Sequence, residues 1–123
     1  MIRLSAALLL VGIGLSPARA ASGCEVPFTK MIPDVTVTGQ IYAVSGKSCG
    51  IGVAESVGGA QSHQITRRPS NGKVEIRGFA IYYTSRPGFV GNDSFSYVRH
   101  SLDSRTNRPI TLPVNIDVTV AAR

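Results

Sequence analysis

The stretch ITLPVNIDVTV, residues 110–120, decides the fold of this chain. Apolar side chains occupy every second position from Ile110 to Val120, and polar residues or Pro113 fill the positions between them. Because successive side chains of a β-strand point to opposite faces of a sheet, this alternation predicts a strand with one face in a core and the other in water. Proline has no amide donor, so Pro113 predicts that the strand lies at a sheet edge or carries a bulge there.

Shorter runs of β-branched or aromatic residues precede this strand, separated by turn residues, and no helical pattern occurs after residue 20. Strands are predicted at residues 35–38 with 41–44, 51–54, 63–67, 73–77, 80–84 and 94–100. About seven short strands, with turn signals roughly every 8–12 residues, are typical of an antiparallel β-sandwich. We therefore predict an all-β domain over residues 34–123, with a small barrel as the alternative.

The N-terminus has the pattern of a secretory signal peptide over residues 1–20. Arg3 supplies the positive charge, residues 4–15 form an apolar run, and Ala18-Arg19-Ala20 places small side chains at the positions that signal peptidase reads. The apolar run is too short to cross a membrane, which takes about 20 residues. We predict cleavage after Ala20, with a buried N-terminal helix as the alternative, and a protein that acts in the periplasm or outside the cell.

Residues 21–33 are predicted to be an irregular lead-in, and they contain the first of two cysteines, Cys24 and Cys49. An even number of cysteines in an exported chain favours a disulfide between them. Two free buried thiols are one alternative. Another is a lipoprotein in which residues 21–24 act as a lipobox and Cys24 is acylated, although Ala21 stands where a larger aliphatic residue is usual.

No metal site or other cofactor is predicted. The two cysteines and the distant His63 and His100 do not have the spacing of a zinc site. Either histidine could act as a base in a small secreted hydrolase, with Asp93, Asp103 or Asp117 and a serine, but no Gly-x-Ser-x-Gly motif is present. We therefore rank the hydrolase last and predict that the chain is not an enzyme.

The chain is basic, with a formal net charge of +6, and loss of Arg3 and Arg19 with the signal peptide would lower it by two. Export argues against nucleic acid as a partner. Outside the cytoplasm a basic surface is suited to an acidic polysaccharide, a lipid headgroup or an acidic protein, or it serves only to keep the domain soluble.

A candidate binding surface combines basic and aromatic residues of the second half of the chain: Arg67, Arg68, Arg86, Tyr82 and Tyr83. Tyr82 and Tyr83 are neighbours in a predicted strand, so they point to opposite faces and one ring is expected to be exposed. That ring, together with the arginines, would serve an envelope- or acidic-carbohydrate-binding module.

Four segments between about residue 65 and residue 120 resemble a known family. PSNGKV at residues 69–74, Tyr83-Thr84, PGFVGNDSFSY at residues 87–97 and IDVTV at residues 116–120 are similar to the bacterial immunoglobulin-like, cadherin-like repeats of secreted and surface proteins. The resemblance implies an immunoglobulin-like topology for the sandwich. Ser85 replaces the proline that usually follows Tyr-Thr, and the basic run at residues 98–101 replaces an acidic turn, which weakens any implication of calcium binding.

The most specific of these segments has six residues with architectural duties: Gly88, Phe89, Gly91, Asp93, Phe95 and Tyr97. The glycines allow sharp turns before a strand, the rings are large enough to anchor a small core, and Asp93 can accept bonds from backbone amides in the turn. These duties specify a fold and not a reaction. The sequence therefore predicts a non-enzymatic exported domain with a binding or structural role.

Overall fold

The computed structural model describes residues 23–52 and 60–123. The predicted signal peptide and the end of the predicted strand at residues 51–54 lie outside these residues. Within them the chain forms eight β-strands and no helix. The strands are β1 (Cys24–Glu25), β2 (Val37–Val44), β3 (Cys49–Gly52), β4 (Ala60–Arg67), β5 (Gly72–Arg77), β6 (Ala80–Ser85), β7 (Gly91–Leu102) and β8 (Pro109–Ala121).

These strands form two sheets. The larger sheet has the order β1-β2-β8-β7-β4, and the smaller sheet has the order β3-β6-β5. Neighbouring strands are antiparallel except β2 and β8, which run parallel. One hydrophobic core contains side chains from both sheets, including Ile41 and Phe95 of the larger and Ile81 and Tyr83 of the smaller. The all-β prediction is confirmed, and the arrangement is that of a β-sandwich.

The strand predicted from residues 110–120 is confirmed, and its position in the sheet was predicted wrongly. Leu112 and Val114 of β8 are each 1% exposed, as the alternation requires. However, β8 lies between β2 and β7, not at an edge, and its register with β7 is unbroken at Pro113.

The surroundings of Pro113 explain why a proline is tolerated inside the sheet. The carbonyl of Thr111 accepts a hydrogen bond from Asp34 N at 2.7 Å, so the backbone N–H and C=O of Thr111 point towards the β2 side of β8 and away from β7. Pro113, two residues further on, turns its nitrogen the same way, just before the β2 ladder begins at Val37 opposite Val114. The missing N–H therefore removes no bond from the ladder between β7 and β8.

Gly39 lies inside β2 and does not interrupt it, so residues 37–44 form one strand where the sequence suggested two segments. A side chain there would meet its neighbours, because a Cβ added to Gly39 would lie 2.7 Å from Thr29 Oγ1 and 3.0 Å from Ile116 Cδ1. The segment that contains Thr29 therefore packs closely against β2 at Gly39, where only a residue without a side chain fits.

The predicted disulfide between Cys24 and Cys49 is confirmed, with a Cα–Cα distance of 5.2 Å. Cys24 belongs to β1 at the edge of the larger sheet, and Cys49 to β3 at the edge of the smaller. The bond therefore joins one edge of each sheet, and Cys49 is fully buried in the shared core. Among the described residues, no helix has the length and apolar character needed to cross a membrane.

Replacing both cysteines, as Cys24→Ala with Cys49→Ala, should lower the free energy of unfolding by roughly 3–4 kcal/mol, because the unfolded chain regains the freedom of the closed loop. Urea unfolding of the two proteins measures the difference. Wild-type protein unfolded with reductant is the matched control and should lose a similar amount. Equal midpoints for the oxidised wild type and the double variant would contradict the prediction.

Candidate functional site

Three connections between strands meet at one end of the sandwich, which we call the loop end: residues 45–48, 68–71 and 86–90. They come together because β2, β4 and β6 end there while β3, β5 and β7 begin there. Two hydrogen bonds join them. Arg86 N donates to Asn71 O at 2.9 Å, and Gly46 N donates to Ser85 Oγ at 2.9 Å.

The carboxylate of Asp93, near the start of β7, binds the connection at residues 68–71. Its Oδ1 accepts from Ser70 N at 3.0 Å, and its Oδ2 accepts from Asn71 N at 3.0 Å. The Tyr83 hydroxyl of the smaller sheet donates to Oδ2 at 2.8 Å. The sequence predicted amide donors from the turn around Asp93. The structure has one such donor, Ser94 N at 2.9 Å, and takes the others from a different connection.

Two aromatic residues of the predicted motif, Phe95 and Tyr97, stack with Tyr83, the tyrosine bound to Asp93. Tyr83 lies parallel to Phe95, with ring centroids 5.9 Å apart, and Phe95 stacks on Tyr97 at 6.4 Å. Burial raises the pKa of Tyr83, and so do its hydrogen bond to Asp93 and the charge of that carboxylate. Burial also raises the pKa of Tyr97 to about 12, against an opposing effect of Arg99.

The remaining motif residues shape the connection before β7. Gly88 has φ +85° and Gly91 has φ +137°, backbone conformations that favour glycine. Phe89 packs against the core, and the guanidinium of Arg86 lies 5.6 Å from the centre of its ring.

A cleft of about 510 Å³ opens at the loop end. Its walls come from the three connections and the adjoining ends of β5 and β6: Gly46, Ser70, Asn71, Gly72, Lys73, Thr84, Ser85, Arg86 and Pro87. The charged members of this set are Lys73 and Arg86, and none of these lining residues is acidic. Lys73 Nζ lies 3.6 Å from Glu75 Oε1, and its side chain is 70% exposed.

The structure separates the residues predicted as one binding surface. Arg86 lines the cleft, and Arg68 is exposed in the connection at residues 68–71. Arg67 lies on the outer face of the larger sheet, where it donates to Ser94 Oγ at 2.8 Å and to Ser96 Oγ at 3.3 Å. A register shift between Ile65 and Arg67 places Arg67 opposite Ser96, so this arginine points away from the core-facing side of β4.

The two neighbouring tyrosines point to opposite faces, as expected, and Tyr83 is the one whose ring lies in the core. Tyr83 is fully buried, so it belongs to no binding surface. Tyr82 is half-buried on the outer face of the smaller sheet, where its ring lies across Gly50 and Arg77 sits 4.8 Å from the ring centre. A ligand that stacks on Tyr82 would have to displace Arg77.

Sequence reasoning missed Lys73 and the polar lining residues Ser70, Asn71, Thr84 and Ser85. The signal available was the polar composition of the three connections, which include Lys47, Arg68 and Arg86 and no acidic residue. Which of these side chains share a cleft depends on how distant connections meet, and residue spacing does not reveal that.

The two histidines occupy different environments on the larger sheet. His63 of β4 pairs in register with Arg99 and contacts the edge of the Tyr97 ring, with centroids 6.2 Å apart. Burial, Arg99 and His100 lower the pKa of His63. His100 is the neighbour of Arg99 in β7 and points to the opposite face. Within the part of the chain that the structure describes, no hydrogen bond joins either histidine to an aspartate or a serine.

The aspartates proposed for a hydrolase have other contacts. Asp103 accepts from the backbone amides of Arg105 and Thr106, and these bonds lower its pKa. Asp117 accepts from Gln40 at 3.4 Å. Over residues 23–52 and 60–123, no group of at least three histidine, cysteine or acidic side chains is placed to hold a metal ion.

No protein-family model matches this chain, and no curated protein or solved structure shows significant similarity to it.

Asp93→Ala should destabilise the protein by about 2–4 kcal/mol, because Ser70 N, Asn71 N and the Tyr83 hydroxyl lose their acceptor together. Tyr83→Phe should cost about 1 kcal/mol, and the double variant should cost less than the sum of the two. Urea unfolding of the four proteins measures the coupling. Asp117→Ala, which removes an exposed aspartate, is the control and should cost under about 0.5 kcal/mol. Strict additivity of the Asp93 and Tyr83 changes would contradict the contact.

Alkaline pH should destabilise the fold through Tyr83 and Tyr97. Their pKa values are raised in the folded state, whereas an unfolded tyrosine titrates near about 10. The contribution of the two protonated tyrosines to stability is therefore complete below about pH 10. Above that pH each tyrosine releases a proton when the protein unfolds, so the free energy of unfolding falls by up to about 1.4 kcal/mol per pH unit for each tyrosine. Urea unfolding between pH 8 and about pH 11.5 measures the slope. Tyr83→Phe should make it shallower, and an unchanged slope would contradict the assignment.

Proposed function

We propose that this chain is an exported, non-enzymatic domain of immunoglobulin-like topology that binds a partner in the periplasm or outside the cell. The observation that carries the proposal is the Cys24–Cys49 disulfide, which joins the edges of the two sheets. Disulfides of this structural kind form and persist in oxidising compartments. The bond therefore supports export, as does the signal-peptide pattern of residues 1–20.

The order of the strands supports the immunoglobulin-like topology. In such sandwiches the second, fifth and fourth strands of the core set share one sheet, and the third, sixth and seventh share the other. When β2 is counted as the first strand of this set, β3, β6 and β5 are the second, fifth and fourth strands, and they are adjacent in the smaller sheet. β4, β7 and β8 are then the third, sixth and seventh strands, and they are adjacent in the larger sheet. β2 adds to the larger sheet by running parallel to β8, the last strand.

The loop end supports a binding role. Sandwiches of this class gather their connections at the two ends of a rigid scaffold, and binding residues are disproportionately found on such connections. The loop end of this domain carries a cleft whose walls are held by bonds between separate connections. A cleft with fixed walls suits ligand binding.

A second candidate is a module that binds an acidic carbohydrate or another anionic envelope component. Its support is the charge of the connections at residues 45–48, 68–71 and 86–90, which hold Lys47, Arg68 and Arg86 without an acidic residue. In this version the basic residues of the loop end bind the ligand, and Tyr82 does not take part because Arg77 covers its ring.

Export can be tested by expressing the full chain in a Gram-negative bacterium, fractionating the cells, and measuring the intact mass of the product. We expect a periplasmic or secreted protein that begins at Ala21 and is two hydrogens lighter than the reduced form. A variant with bulky residues at Ala18 and Ala20 should remain uncleaved. An uncleaved wild type, or a diacylated N-terminal Cys24, would contradict the proposal.

The binding role can be tested with the same exported protein. It should co-sediment with cell-envelope fragments or be retained by isolated envelope polysaccharide, and protein unfolded by reduction and heat should not. If the protein binds no envelope fraction at low or at moderate salt, the proposed binding role is contradicted.

A further inference from the structure

The cleft at the loop end combines a small-ligand volume with polar and basic walls. From its walls we infer that it binds an acidic sugar, with the sugar carboxylate held by Lys73 and Arg86 and the sugar hydroxyls by the neutral walls. This inference rests on the proposed binding function, and it replaces the dispersed arginine and tyrosine surface with one site.

The charge of the cleft selects an anion. Lys73 and Arg86 are cations and no acidic residue joins them in the walls. Lys73 also lies 3.6 Å from Glu75 Oε1, which offsets part of its charge. Glu75 lies nearer to Arg77, at 2.8 Å, so the cleft keeps a positive charge that suits an anionic ligand such as a carboxylate. The planar guanidinium of Arg86 can bind a carboxylate through two parallel hydrogen bonds.

The neutral walls suit a ligand with many hydroxyl groups. Ser70, Asn71 and Thr84 supply hydroxyl and amide groups, each able to donate and to accept, whereas the buried Ser85 hydroxyl already binds Gly46 N and Arg86 O and only shapes the wall. A sugar ring presents the same mixture of donors and acceptors. The volume of about 510 Å³ lies within the range of small-ligand sites, about 300–1,000 Å³.

The cleft is preformed by bonds that do not involve a ligand. Asp93 holds the amides of Ser70 and Asn71, and the bond from Arg86 N to Asn71 O joins two of the connections just beyond the ladder between β5 and β6. Gly72 keeps two walls close, because a Cβ there would lie 2.5 Å from Thr84 O. A site whose walls are fixed before binding loses less conformational freedom when the ligand arrives, which favours affinity.

The test uses the exported protein and digalacturonate as the probe, with its neutral methyl ester as the matched ligand. Titration followed by amide chemical shifts should show binding of digalacturonate, with shifts concentrated at residues 70–73 and 84–87, and weaker binding at high salt. The methyl ester should bind at least about tenfold more weakly, since it lacks the charge-assisted hydrogen bonds.

Lys73→Gln and Arg86→Gln should each lower the affinity at least about tenfold, whereas Arg105→Gln, the same charge change in the exposed loop after β7, should leave it unchanged. Unfolding midpoints of the three variants report whether the fold is intact. Because the Lys73 side chain is 70% exposed, Lys73→Gln should leave the fold intact.

Several outcomes would overturn the inference and leave the proposed function in place. One is envelope binding without digalacturonate binding. Another is digalacturonate binding that Lys73→Gln and Arg86→Gln do not weaken. A third is inorganic phosphate binding at the cleft as tightly as the sugar acid. Failure to bind any envelope component would instead reject the proposed function itself.

Discussion

The carboxylate of Asp93 connects parts of the structure that the backbone leaves separate. Asp93 belongs to β7 of the larger sheet, its Tyr83 partner to β6 of the smaller, and its amide partners Ser70 and Asn71 to the connection between β4 and β5. Because a buried hydroxyl or amide is costly without a partner, this carboxylate makes the approach of the sheets and the path of that connection depend on each other. The cleft wall formed by Ser70 and Asn71 is a consequence.

A second tie joins the sheets through their edge strands and stabilises the fold by a different principle. The Cys24–Cys49 bond connects edge strands of the two sheets, and it acts mainly by limiting the unfolded chain. Asp93 instead orients groups in the folded state. Cys49 lies opposite Tyr83 in the ladder between β3 and β6, and Tyr83 stacks with Phe95 and Tyr97 in the core that both sheets share. For a domain of this size a modest core and a covalent tie together are a common route to stability.

The sequence predicted the strands more accurately than it predicted the binding site. Strands followed from alternation that is local, so residues 73–77 and 80–84 were found nearly at their observed bounds. The site was predicted only in part, since Arg86 lines the cleft but Arg67 and Tyr83 do not. A register shift after Ile65 turns Arg67 to the outer face, and a single added residue in a strand reverses every later side chain. No local pattern signals such a shift.

By itself the sequence determined the all-β class, the amphipathic character of β8, the cysteine pair and the roles of the glycines and aromatic residues in the segment at residues 87–97. These follow from side-chain periodicity and backbone preference, which act over a few residues. Only the tertiary structure decided that β8 lies inside a sheet, which tyrosine faces the core, and which residues of the three connections share a cleft. Those outcomes depend on strand order and register, which are set by contacts between segments far apart in the chain.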